Sequence, residues 1–156
     1  MNLENEIQAL KTKIAFYEKM INEIAVPIIP SIVDDTILVP ISGYTTQDRL
    51  ETIRNRILDY LGEHREINCT VFDFTGVGTD QIQDLDYQIL AHEISQLDAS
   101  LKLMGVHPIF VGFNYLLVKE IVHAGVHVHI ETYVNFKTAL ATLLDKTEKS
   151  VQTLHK

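Results

Sequence analysis

His127 and His129 stand two residues apart, with Glu131 two further on and His123 about a turn before, so an extended strand would set imidazoles and a carboxylate on one face. That spacing suits a zinc ion. The alternating valines explain the same pattern without a metal, because a half-exposed strand turns apolar residues inward and polar ones outward. His92-Glu93 lacks the second histidine of a metalloprotease helix. Thr75-Gly76-Val77-Gly78-Thr79 has neither the glycine spacing nor the lysine of a phosphate-binding loop, and no serine sits between glycines after a strand. The carboxylate pairs Asp34/Asp35 and Asp84/Asp86 fall in turn-like stretches where acids bond the local backbone. No nucleophile and base come together in the pattern, so the expectation is a protein without a catalytic centre and without a cofactor.

Threonines offer a different chemistry. Thr45 and Thr46 precede an apolar helical stripe, where an added phosphoryl group would meet unpaired backbone donors and the positive end of the helix dipole. An unmodified helix cap is the other use of such a residue. Thr75 closes an apolar run behind Asp73, where its hydroxyl is placed to bond the loop, and Thr79 lies farther out in a polar loop. These four are the candidate phosphoacceptors.

The 156 residues carry 21 acidic against 13 basic side chains, a formal charge of −8. That balance excludes an electrostatic grip on nucleic acid or on an anionic membrane. No apolar run has the length of a membrane span, and the leading Met-Asn-Leu-Glu-Asn-Glu is not a secretory signal, which together predict a cytoplasmic protein. The single cysteine, Cys69, lies in an apolar run and reads as a small buried hydrophobe.

Several elements must position these groups. Leu3, Ile7, Leu10, Ile14, Tyr17, Ile21 and Ile24 recur at alternating gaps of four and three, the seam of a two-stranded parallel coiled coil. In that register Glu6 faces Lys11, and Lys13 faces Glu18, of a second copy, predicting a homodimer. The alternative is an amphipathic helix laid on its own domain.

Val26-Pro27 ends the helix. Beyond it, Ile28–Val33 and Thr36–Ile41 form a predicted hairpin across Asp34-Asp35, with Pro30 and Pro40 marking an edge or irregular ends. A helix follows over Leu50, Ile53, Ile57 and Leu61, stopped by Gly62, then a buried strand from Ile67 to Phe74. A second helix carries Leu90, Ile94, Leu97, Leu101 and Met104 and ends at Gly105. Ile109–Val111 leads to a helix over Tyr115–His123, and Val126–Ile130 to one bearing Phe136, Leu140, Leu143 and Leu144. Strands alternating with helices predict parallel pairing, so Gly43–Thr46, Thr75–Asp80, Gly112–Asn114 and Glu131–Thr132 should converge on one sheet edge.

The segments Val26-Pro27-Ile28-Ile29-Pro30, Ile37-Leu38-Val39-Pro40-Ile41-Ser42-Gly43, Val71-Phe72-Asp73-Phe74-Thr75-Gly76-Val77 and Leu101-Lys102-Leu103-Met104-Gly105-Val106 resemble the STAS domain of bacterial stressosome co-antagonists, from about Val26 to Asp145. The resemblance implies an α/β fold with a mixed, mostly parallel sheet flanked by helices. It divides the chain into a coiled-coil or linker helix over 1–25, a STAS domain over 26–147 and a frayed tail over 148–156. It implies a non-enzymatic scaffold that binds other STAS proteins and a serine/threonine switch kinase and regulates a sigma factor. Its partner-binding edge would comprise Thr46, Gln47, Asp73, Thr75, Gly76, Gln88 and Asn114. At the two places where the family carries phosphoacceptors this chain has Gln47 and Gln88, leaving Thr45, Thr46, Thr75 and Thr79 as substitutes. A small-molecule or metal sensor using the convergent loops or the His127/His129 strand is the alternative.

Overall fold

The computed structural model describes residues 2–24, 26–43, 46–77, 87–123 and 129–154. The leading helix α1 (Leu3–Ile24) is followed by a short strand β1 (Ile29–Pro30), then by β2 (Thr36–Ser42), α2 (Gln47–Glu63), β3 (Cys69–Gly76), α3 (Tyr87–Leu103), β4 (His107–Val111), α4 (Tyr115–His123), β5 (Glu131–Tyr133) and α5 (Phe136–Leu154). The five strands lie in chain order, with β1 antiparallel to β2 and all later neighbours parallel.

Sequential order with parallel pairing carries every crossover helix to the same side of the sheet. Accordingly Leu50, Ile53, Ile57 and Leu61 of α2, Leu90, Ile94 and Leu101 of α3, and Leu117 and Ile121 of α4 share one core with Phe72, Phe74 and Phe110. On the opposite face Cys69, Val71, Ile109 and Val111 meet Ala139 of α5, flanked by Phe136 and Leu143. Alternation along β3 and β4 thus feeds two cores. Phe72 and Phe110 stack with centroids 5.4 Å apart, and Phe74 meets Phe113 edge-on at 5.3 Å.

Several elements differ from the sequence reading. The first strand is only Ile29–Pro30 because Pro30 has no N–H and the hydroxyl of Ser31 takes the Val33 amide at 3.1 Å, turning the chain early. Asp35, at φ 60°, completes that turn. β2 is an interior strand, and its Pro40 sits beyond the stretch that β1 covers, next to a register shift against β3. The last strand is Glu131–Tyr133 rather than Val126–Ile130; residues 126–128 lie outside the described residues, and His129 and Ile130 precede the strand. Finally, α5 runs on to Leu154 instead of fraying near Asp145, since neither glycine nor proline interrupts it.

Gly62, expected to stop α2, lies within it, and His64 caps the helix one residue past Glu63. Gly105 does end α3: at φ 76° it lets Val106 N–H reach back to the Leu101 carbonyl at 3.0 Å.

Candidate functional site

The C-terminal ends of β2, β3 and β4 form one rim, and three helices open on it or beside it with capped N-termini. Thr46 caps α2, accepting the Arg49 amide on its Oγ1 at 3.1 Å. Asn114 caps α4, its Oδ1 taking the Leu117 amide at 2.9 Å. Asn135 caps α5, bonding both the amide and hydroxyl of Thr138 at 2.9 Å. Each cap satisfies donors that a helix start otherwise leaves open, and the helix dipoles place partial positive charge along the rim.

The loops between these helices approach closely. A Cβ on Gly112 would meet the Thr75 Oγ1 at 2.3 Å, and one on Gly76 would meet the Ser42 Cβ at 2.7 Å. Gly43 and Gly112 both hold positive φ, which only a residue without a Cβ adopts freely. Asp73 accepts the Thr75 amide at 2.9 Å and so fixes the end of β3.

Thr46 is half-buried with its hydroxyl engaged in the cap, while Gln47 and Asp48 beside it are exposed. Arg49 is partly desolvated, which lowers its pKa from the ordinary arginine value. Thr75 and Gly76 are exposed, Asp73 half-buried, and Gln88 exposed near the start of α3. Thr75, Gly112, Ser42 and Gly76 are therefore brought together, whereas Thr45 and Thr79 lie outside the described residues, as do Asp84 and Asp86. Tyr87 is a rim residue that the sequence pattern did not single out: the Asn114 amide donates to its hydroxyl at 3.5 Å, joining α3 to α4. Only its place as an aromatic at a helix start signalled it.

Glu131 leaves the rim altogether. The β4–β5 register sets it opposite Ile109, on the α5 face, where it pairs with His107 and accepts the Tyr133 hydroxyl at 2.7 Å, with Lys146 at 4.0 Å. Burial opposes its ionisation, but Tyr133, His107 and Lys146 together prevail and hold it below the usual carboxylate range. Tyr133, bonded to that carboxylate and partly buried, is pushed up. Burial, reinforced by Glu131, takes the Cys69 thiol up to about 11, so it stays protonated and inert.

His127 lies outside the described residues, and among the described residues no three His, Cys, Asp or Glu side chains converge as a metal would need. A shallow apolar groove of about 380 Å³ runs beside the rim between α4 and β5, lined by Phe113, Val118, Thr132, Tyr133, Val134 and Thr138. No helix among the described residues is long and apolar enough to cross a membrane.

No family model and no curated protein sequence matches this chain. Solved structures do. A serine-to-glutamate variant of RsbS from Moorella thermoacetica superposes with a TM-score of 0.62 at 17% identity, covering 79% of this chain and 97% of that one. The chain has the STAS fold. A component of the stressosome, a signal integration and transduction hub, follows at TM-score 0.51 and 16% identity over 78% of this chain and 98% of that one. The Bacillus cell fate determinant SpoIIAA in its phosphorylated form gives 0.50 at 10% identity, over 76% and 99%.

In this STAS sheet the strand order never reverses, so no crevice opens between diverging crossovers of the kind that holds nucleotides in other open α/β sheets.

Proposed function

We propose that this chain is a non-enzymatic STAS signalling scaffold in a stressosome-like, sigma-factor-regulating partner-switching pathway. Its rim binds other STAS proteins and a serine/threonine switch kinase. The observation that carries this reading is the rim itself: capped helix starts, glycine-tightened loops and no strand-order reversal, on a fold shared with RsbS, the stressosome component and SpoIIAA. Thr46, Gln47, Asp73, Thr75, Gly76, Gln88 and Asn114 form the contact edge. A phosphoryl group on Thr46 would sit at the start of α2, where the Gln47 and Asp48 side chains are exposed to a partner. Thr75 is the other described acceptor.

Titration against a switch kinase and against a second STAS protein tests the proposal. Saturable binding is expected, weakened about ten-fold by Gln47→Arg with no change in melting temperature. After incubation with kinase and ATP, mass spectrometry should place phosphate on Thr46 or Thr75. Binding to neither partner would sink the reading.

A further inference from the structure

The leading helix is 22 residues long, and its seam lies open to solvent. Leu3, Ile7, Leu10, Ile14, Tyr17 and Ile21 are each between 44% and 68% exposed, so the stripe is not laid against its own domain. Six large apolar side chains in one exposed line require a cover. From this we infer that α1 pairs with the α1 of a second copy, in parallel and in register.

The side-chain types select that occupant. Isoleucine at 7, 14 and 21 alternates with Leu3, Leu10 and Tyr17, the β-branched and unbranched alternation that favours two parallel strands. Charge agrees with the parallel direction. In parallel register Glu6 of one copy meets Lys11 of the other and Lys13 meets Glu18, and the two-fold axis repeats both pairs. An antiparallel pair that opposes Leu10 with Ile14 would instead bring Lys11 near Lys11 and Lys13 near Lys13. The sequence of charges therefore rewards the parallel register over this antiparallel one. The surface is a self-recognising one, and the two STAS bodies it joins leave the same end of the paired helices.

This pairing is independent of the signalling reading, because it uses α1 alone and is measured without any partner. Light scattering of the full chain should give twice 17.7 kDa. Lys11→Glu with Lys13→Glu should weaken self-association about thirty-fold, and a one-to-one mixture with the Glu6→Lys, Glu18→Lys chain should restore dimers. Under mild oxidation Leu10→Cys should cross-link to itself, with the wild-type chain as control for the buried Cys69. A monomeric mass at high concentration would overturn the inference. So would cross-linking of Leu10→Cys only to Ile14→Cys, which reports the antiparallel arrangement.

Discussion

The Thr75 Oγ1 stands 2.3 Å from the point that a Cβ on Gly112 would occupy, so the loops after β3 and β4 touch with no side chain between them. Gly112 also holds φ 79°. Gly112→Ala combines a left-handed backbone with a steric overlap and should cost about 3 kcal/mol in denaturant unfolding. Adding Thr75→Ala should recover little, because the Thr75 backbone nitrogen and Cα are 2.6 and 2.9 Å from the same point. Full recovery would show that only the hydroxyl obstructs.

Arg54 of α2 donates to Glu93 of α3 at 2.8 Å, with the two side chains 24% and 7% exposed. Glu93→Ala should lose about 2 kcal/mol, less than for a fully buried pair because Arg54 still reaches water. The Arg54→Leu, Glu93→Leu chain should regain most of it, since two apolar side chains remove both desolvation costs. A double-mutant cycle in urea reads the coupling.

Glu131 sets a pH dependence whose sign follows from its lowered pKa. A carboxyl that ionises more readily when folded stabilises the protein above its unfolded pKa and loses that contribution as pH falls through the folded value. Glu131→Gln should therefore melt lower than the native chain at about pH 7, with the gap closing toward about pH 3. A gap that widens in acid would contradict the assignment of Tyr133, His107 and Lys146 as its partners.

Thr46 is the described candidate acceptor that also carries a cap. Thr46→Ala should cost about 1 kcal/mol by loss of the bond from Arg49 N–H, whereas Thr46→Ser and Thr46→Asp should stay near native stability. Thr46→Asp thus separates the two roles: partner binding altered in that variant reports the rim, not a weakened helix. Thermal melts beside the titrations check this.

Most of the fold was legible because apolar periodicity is local. The stripes on α2, α3 and α4 and the runs in β3 and β4 each declare their period within about a dozen residues. Three features were not. β1 shrank to Ile29–Pro30 because Ser31 bonds its own turn, a competition that hydropathy does not register. Glu131 read as one of a histidine row, yet a strand starting at residue 131 gives it His107 as its neighbour across β4, a fact of register rather than of spacing. The Thr75–Gly112 contact joins loops far apart in the chain, and only the presence of the glycine hinted at it.

Strand order equal to chain order also governs how this molecule is made. Each β-α-β unit can close on its predecessor as soon as its own residues are available, with no distant segment to await. The exception is α5, which lies across β3, β4 and β5 and arrives last. One face of the nascent sheet, including Cys69, Val71, Ile109 and Val111, therefore stays wet until the final helix docks. That helix roofs the second face of the sheet, and chains truncated before it would present a bare β surface to their neighbours.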